Sequence, residues 1–95
     1  MAYMVYVLYS KKDKKLYVGC TSDIEKRLKR HHSGQVEATV NRRPLELIHT
    51  EQFELTADAF NRERFLKSLW GARTKKKILL EWLKNTSKEK DAFSG

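Results

Sequence analysis

The sequence has few of the residues that cross-link a chain or bind metals through sulfur. Cys20 is the single cysteine among 95 residues. One cysteine cannot form an intramolecular disulfide and cannot supply a cysteine cluster for zinc or iron. A disulfide-stapled secreted scaffold is therefore excluded, and a reducing compartment fits best. We expect a cytoplasmic protein.

Long apolar runs are also lacking. No stretch approaches the roughly 20 apolar residues that span a bilayer. The apolar N-terminal segment has no basic residues before it and is too short for the hydrophobic region of a signal peptide. We therefore expect no membrane span and no targeting segment.

Acidic residues are in deficit, because 12 Asp and Glu stand against 20 Lys and Arg, a net charge of +8. Such an excess fits a polyanionic partner, an anionic membrane or solubility alone. The hydrophobic content of 40% indicates a folded globule. We predict one domain over residues 1–84 and a polar, flexible tail over 85–95.

The periodicity predicts an α+β fold of order β-β-α-β-α-α, a small antiparallel sheet with three helices. A buried strand over 3–9 and a second strand over 15–20 form a hairpin. Leu45, Leu47 and His49 alternate with Glu46 and Ile48, which indicates a third strand over 45–53 after a polar loop over 35–44.

Three helices complete the predicted fold. Ser22 and Glu25 have capping-box spacing and start a helix over 22–32, which Gly34 ends. The second helix begins at Thr56, and the third is capped by Thr74. The second is expected to bury Ala59, Phe60, Leu66, Leu69 and Trp70 before Gly71 stops it, and the third to bury Ile78, Leu79, Trp82 and Leu83.

The hairpin brings two tyrosines onto one face of the sheet. If paired positions sum to 25, Tyr6 faces Gly19 and Leu8 faces Tyr17, so the two phenol rings are neighbours. Gly19 leaves a gap opposite Tyr6 that could form a pocket. The simpler interpretation is that the tyrosines are core residues whose hydroxyls each find one partner.

The first helix places two polar side chains beside its apolar residues. Ile24, Arg27, Leu28 and His31 recur at i, i+3, i+4 and i+7 and form one stripe. The stripe predicts that Arg27 and His31 face the sheet. Alternatively, Arg27 extends along the rim and His31 is simply half-buried.

Glu63 raises a similar question on the second helix, because it shares the face of Ala59 and Leu66. A carboxylate on a core-facing stripe must be paired, bound to a metal or at the edge of a cleft. Mg²⁺ is compatible with one protein carboxylate when waters and phosphates complete its shell. The alternative is an i,i+4 ion pair with Lys67.

These residues in this order resemble the GIY-YIG nuclease superfamily, specifically its small stand-alone bacterial members, the YhbQ-like group. The resemblance runs from about Tyr3 to Leu83 and rests on Val5-Tyr6, Tyr17-Val18-Gly19, Thr21, Arg27, His31, Glu63 and Lys67. The sequence departs from the motif at structural positions, with Met4 in place of Gly, and Val5 and Val18 in place of Ile.

The resemblance implies a three-stranded antiparallel sheet flanked by helices and metal-dependent hydrolysis of DNA phosphodiester bonds. Glu63 would hold one Mg²⁺ or Mn²⁺ ion, and Arg27 would steady the scissile phosphate. Tyr6, Tyr17 and His31 would activate or orient the attacking water, with the choice of base open.

Two other functions remain compatible with the sequence. A catalytically weak module would keep the fold and only bind nucleic acid, and a protein-interaction domain would use its charge for solubility. Glu63 speaks against the first, because binding alone does not need a carboxylate near phosphates. A protein partner for targeting is possible. The basic residues expected to contact DNA are Lys26, Lys29, Arg30, Lys67, Arg73, Lys75 and Lys76.

Overall fold

The computed structural model describes the backbone of residues 2–94 and the side chains of residues 2–86. The elements follow the predicted order: β1 (Tyr3–Ser10), β2 (Leu16–Thr21), α1 (Ile24–His32), β3 (Leu45–Phe53), α2 (Thr56–Lys67) and α3 (Ala72–Ser94). Short 3₁₀ turns over Val40–Arg42 and Leu69–Gly71 precede β3 and α3. The strands form one antiparallel sheet of order β2-β1-β3, which confirms the predicted α+β class.

The two faces of β1 belong to two separate clusters, because successive side chains of a strand point to opposite sides. Val5 and Val7 pack against α2 and α3 through Ala59, Leu66 and Ile78. The opposite face carries Tyr6, Leu8 and Leu45, on which Ile24 and Leu28 of α1 pack. The central strand is therefore buried on both sides, which explains its nearly continuous apolar sequence.

A bulge in β3 changes the predicted alternation of that strand. Val7 pairs with His49 whereas Leu8 pairs with Leu47, so Ile48 is an extra residue. Ile48 packs with the Val5 cluster, and His49 lies on the same face. The expectation that His49 shares a face with Leu45 and Leu47 is therefore wrong, because the bulge shifts the register by one residue.

Helix α1 begins one residue later than the capping box indicates. Asp23, not Ser22, is the N-cap, and its Oδ1 accepts the backbone N–H of Lys26 at 3.1 Å. The Oγ1 of Thr21 accepts the N–H of Asp23 at 3.1 Å, which turns the chain out of β2. Gly34 follows the helix with a φ of 82°, as predicted for the residue that ends it.

The connection from α2 to α3 differs most from expectation. Helix α2 ends at Lys67, and Ser68 leaves the helix with a ψ of 167°. The 3₁₀ turn that follows points Leu69 and Trp70 outward, with 93% and 85% of their surfaces exposed. A Cβ on Gly71 would lie 2.2 Å from the carbonyl oxygen of Phe65, so only glycine permits this close approach.

The remaining predicted core positions of α2 and α3 have mixed outcomes. Phe60 is largely exposed rather than buried, although its ring contacts that of Tyr3. Ile78 is buried, Leu79 and Trp82 are half-buried, and Leu83 is exposed. Helix α3 starts at Ala72 rather than after Thr74.

Helix α3 also extends beyond the predicted end of the domain. It continues to Ser94, past residue 84, and Gly95 lies outside the described residues. The flexible tail over 85–95 stays a prediction. Within residues 2–94, no helix combines the length and the apolar character that a bilayer crossing needs.

Candidate active site

The candidate site begins at the hairpin, where the predicted pairing is confirmed. Tyr6 pairs with Gly19 and Leu8 pairs with Tyr17. The gap expected at Gly19 is not an open pocket, however, because the ring of Tyr6 fills it. A Cβ on Gly19 would lie 2.3 Å from both Cζ and the hydroxyl oxygen of Tyr6. Glycine thus lets the phenol lie flat across β2.

The Tyr6 hydroxyl is the centre of a buried hydrogen-bonded chain. The Nε–H of Arg27 donates to the Tyr6 oxygen at 3.2 Å, and that oxygen lies 2.9 Å from Nε2 of His31. On the other side of the imidazole, Nδ1 lies 2.8 Å from Oγ1 of Thr39. Helix α1 therefore turns Arg27 and His31 toward the sheet, as the stripe predicts.

One tautomer of His31 gives each polar group of this chain a partner. In that assignment the Thr39 hydroxyl, whose oxygen lies 3.5 Å from the carbonyl oxygen of Val36, accepts the proton on Nδ1 of His31. Nε2 is then the acceptor for the Tyr6 hydroxyl proton. Sequence reasoning missed Thr39, which lies in the predicted polar loop. The available signal was chemical: a buried imidazole needs a partner for each nitrogen.

Burial keeps both members of the central pair neutral near pH 7. Desolvation lowers the pKa of His31 to about 4, and the charges of Arg27, His32 and Arg30 act in the same direction. Burial also raises the pKa of the Tyr6 phenol, although the hydrogen bond from Arg27 opposes that rise. A neutral Tyr6 therefore donates to a neutral His31.

Tyr17 completes the cluster at its surface. Its ring centroid lies 6.4 Å from that of Tyr6 and 5.3 Å from that of His31. Tyr6 and His31 are fully buried, whereas Tyr17 and Arg27 are partly exposed. Hydrogen bonding to Tyr6, and more weakly to Tyr17, raises the pKa of Arg27. The guanidinium therefore covers the buried pair and faces both phenols.

Glu63 reaches the same place from the other side of the sheet. Helix α2 packs on the face opposite α1, and Glu63 Oε2 lies 3.2 Å from Nζ of Lys67. That ammonium lies 6.0 Å from the centroid of the Tyr17 ring. Tyr6, Tyr17, Arg27 and His31 thus form one cluster at the β2 edge, with Tyr6 and His31 below the surface, and Glu63 approaches its Tyr17 side through Lys67. The ion pair offered as the alternative for Glu63 is present.

The donor set at this edge fits one particular kind of metal. Glu63 has 22% of its side chain exposed. Within the described part of the chain, no three His, Cys, Asp or Glu side chains group into a cage. One carboxylate oxygen suits Mg²⁺ or Mn²⁺, which retain waters and bind phosphate oxygens. Lys67 would have to share or release the carboxylate.

Basic side chains continue outward from Arg27 along α1. Lys26 and Arg30 line a groove of about 360 Å³ together with Arg27 and Thr21, and Lys29 is exposed nearby. On α3, Arg73 and Lys76 are exposed and Lys75 is half-buried. The cationic surface therefore borders the Tyr17 edge on the α1 side, and the contact of each residue with DNA stays a prediction.

Comparison with known proteins identifies relatives over most of the chain. The family model for the GIY-YIG catalytic domain matches residues 2–77. A UPF0213 protein of Natronomonas pharaonis is 43% identical over 77 residues, which cover 80% of this chain and 87% of that protein. The UPF0213 protein YazA of Bacillus subtilis is 40% identical over 76 residues, which cover 79% of this chain and 75% of that protein.

A solved structure is also similar. The solution NMR structure of a UPF0213 protein from Bacillus halodurans is 35% identical to this chain and superimposes with a TM-score of 0.52. The match covers 85% of this chain and 84% of that one.

Proposed function

The chain belongs to the GIY-YIG catalytic domain family and is similar to its UPF0213 members, and on that premise we propose that it is a metal-dependent DNA endonuclease. The observation that carries the proposal is the cluster of Arg27 and Tyr17 at the β2 edge, which Glu63 approaches through its ion pair with Lys67. These are the partly exposed members of the cluster. Because DNA is the substrate, the proposal includes a cytoplasmic location.

Arg27 is the residue that binds the scissile phosphate. A guanidinium offers two parallel donors to phosphate oxygens and is always charged. Its Nε is already held by Tyr6, so the side chain is oriented before DNA arrives. Fixed positive charge where the transition state gains negative charge lowers the barrier without a reorganisation cost.

Tyr6, His31 and Thr39 act as positioning residues in this proposal. Both Tyr6 and His31 are fully buried, so neither touches a phosphodiester unless Arg27 moves. Their hydrogen bonds fix the oxygen that accepts from Arg27. Tyr17 is the accessible phenol, and it is the group placed to orient the attacking water.

Glu63 would hold the divalent ion, and Lys67 would hold its carboxylate in place before the ion binds. When bound, the ion supplies Lewis-acid stabilisation of the phosphate charge. The ion pair with Lys67 also favours a second candidate function, a nucleic-acid-binding module without cleavage. In that case Glu63 orients Lys67 toward phosphates and needs no metal.

One cleavage experiment separates the two functions. Branched, nicked, single-stranded and plasmid DNAs are incubated with Mg²⁺, with Mn²⁺ or with EDTA. We expect metal-dependent cleavage of at least one substrate and no cleavage by Glu63→Gln, which keeps the shape of the side chain but loses its charge. Glu54→Gln, at an exposed carboxylate next to α2, is the matched control and should remain active.

Arg27 has its own control on the same helix. Arg27→Ala should lower the cleavage rate by about 10²-fold or more, whereas Lys29→Ala at an exposed position should change it little. If Glu63→Gln cleaves as fast as the wild type, in preparations free of host nucleases, the proposed mechanism is wrong. DNA binding without cleavage by any variant would support the binding module.

A further inference from the structure

The strongest unexplained feature is the apolar pair Leu69 and Trp70 in the 3₁₀ turn after α2. Their exposures of 93% and 85% exceed those of the other exposed large hydrophobic residues within residues 2–86, which lie between 37% and 64%. Tryptophan is highly buried on average, so an indole that is almost wholly in water is unusual. An exposed aromatic of this kind indicates a contact with a partner.

The pair lies close to the candidate active site. Trp70 follows Lys67 by three residues, and three residues span at most about 11 Å between Cα atoms. Lys67 pairs with Glu63 and approaches the ring of Tyr17. A DNA strand that contacts Lys67 at the Tyr17 edge therefore passes within reach of the indole.

The positive charge around the pair indicates a negatively charged partner. Residues 64–80 contain six Lys and Arg and no Asp or Glu. Arg73, Lys76 and Lys77 are exposed on the first turns of α3, and Lys67 precedes the pair. An aromatic ring bordered by cations is the arrangement that binds unpaired nucleic acid, with bases on the ring and phosphates on the cations.

We propose that Trp70, supported by Leu69, stacks on an unpaired base of the DNA whose backbone occupies the Tyr17 edge. The inference rests on the proposed function and adds a substrate class to it. Bases in an intact duplex are already stacked on their neighbours, so this contact requires a single-stranded or unpaired nucleotide beside the cleaved bond. Trp70 thereby favours flaps, forks and single strands over continuous duplex.

Binding measurements in EDTA test the proposal without cleavage. Fluorescence anisotropy compares a labelled 16-mer of thymidine with a blunt duplex of similar length. Trp70→Ala should weaken single-strand binding roughly 5- to 150-fold, the range for loss of one aromatic–base stack. Duplex binding should change less than about twofold, and Trp70→Phe should retain most of the single-strand affinity.

Trp82 provides the matched control. It is half-buried, and its ring centroid lies 5.5 Å from that of Tyr9. Trp82→Phe should leave both affinities unchanged and leaves Trp70 as the single tryptophan. In that variant, the thymidine oligomer should quench tryptophan emission and the duplex should not.

Four other outcomes would contradict the stacking of Trp70 on DNA, and each identifies which claim is wrong. Equal single-strand binding by the wild type and Trp70→Ala overturns this inference but leaves the proposed function intact. Absence of DNA binding by the wild type overturns both. If Trp70→Ala instead converts a dimer into a monomer, the pair contacts a second copy. A blue shift of emission on anionic vesicles, with none on DNA, assigns the pair to a membrane surface.

Discussion

Replacing Gly19 by alanine should disturb the candidate site directly, because the new methyl group would occupy the space of the Tyr6 ring. The added Cβ would lie 2.3 Å from Cζ and from the hydroxyl oxygen of Tyr6. Tyr6 is fully buried and bonded to both Arg27 and His31, so the ring has no free direction in which to move. The substitution therefore forces either strand separation or loss of those hydrogen bonds.

The expected magnitude follows from these contacts. Overpacking a buried site by one methyl costs about 1–3 kcal/mol in unfolding free energy. Displacing the hydroxyl also weakens hydrogen bonds worth about 1 kcal/mol each. A loss of about 2 kcal/mol would lower the melting temperature of a domain of this size by roughly 8–16 °C. DNA cleavage should fall as well, because Arg27 loses its oriented acceptor.

Thermal unfolding by circular dichroism, arranged as a double-mutant cycle, isolates the clash. Tyr6→Leu removes the atoms that meet the new Cβ, so Gly19→Ala should cost much less in that background than in the wild type. Gly34→Ala is the control: its φ of 82° predicts a loss of about 1 kcal/mol, but at a turn away from Tyr6. The reasoning is refuted if Gly19→Ala costs as much in the Tyr6→Leu background as in the wild type, or if it costs nothing in the wild type.

Two further predictions concern charge. The pKa of His31 is about 4 in the folded protein and 6.5 in the unfolded chain, so the unfolded chain binds more protons between these values. The free energy of unfolding should be at its full value above pH 6.5 and fall by roughly 3 kcal/mol as the pH drops toward 4. Urea unfolding of His31→Gln should show a weaker dependence of this free energy on pH. The same pH dependence in the variant and the wild type would contradict the assignment. Glu51 accepts from Arg62 at 2.8 and 3.1 Å and lies 2.8 Å from His49 Nε2. Glu51→Gln should cost about 1–3 kcal/mol in urea unfolding. DNA binding should be unchanged, because Glu51 lies on β3, across β1 from the β2 edge of the candidate site. A loss of DNA affinity in the folded variant would contradict that separation.

The parts of the fold that depend on local pattern were predictable. A polar turn between two β-branched runs sets the hairpin register, and the register alone places Tyr6 opposite Gly19. The 3.6-residue stripe likewise turns Arg27 and His31 toward the sheet. In both cases the repeat of the element, two residues in a strand and 3.6 residues in a helix, determines which face a side chain occupies.

The parts that depend on contacts between distant segments were not predictable. The bulge at Ile48 moves Ile48 and His49 onto the same face, and nothing in the alternation of β3 marks the extra residue. Leu69 and Trp70 continue the apolar pattern of α2, but the chain leaves the helix at Ser68. Thr39 is polar and lies in a loop, and its importance follows only from the imidazole that it contacts.

The position of β1 in the sheet has a consequence for motion. Tyr6 lies on the central strand, between Gly19 of β2 and Thr50 of β3. Strands that are hydrogen-bonded to a neighbour on each side open last in native-state hydrogen exchange, often only with global unfolding. Arg27 instead lies on a nine-residue helix at the surface, where opening is local. The hydroxyl that holds Arg27 is therefore carried by the strand that opens last, so the acceptor stays in place when α1 opens locally.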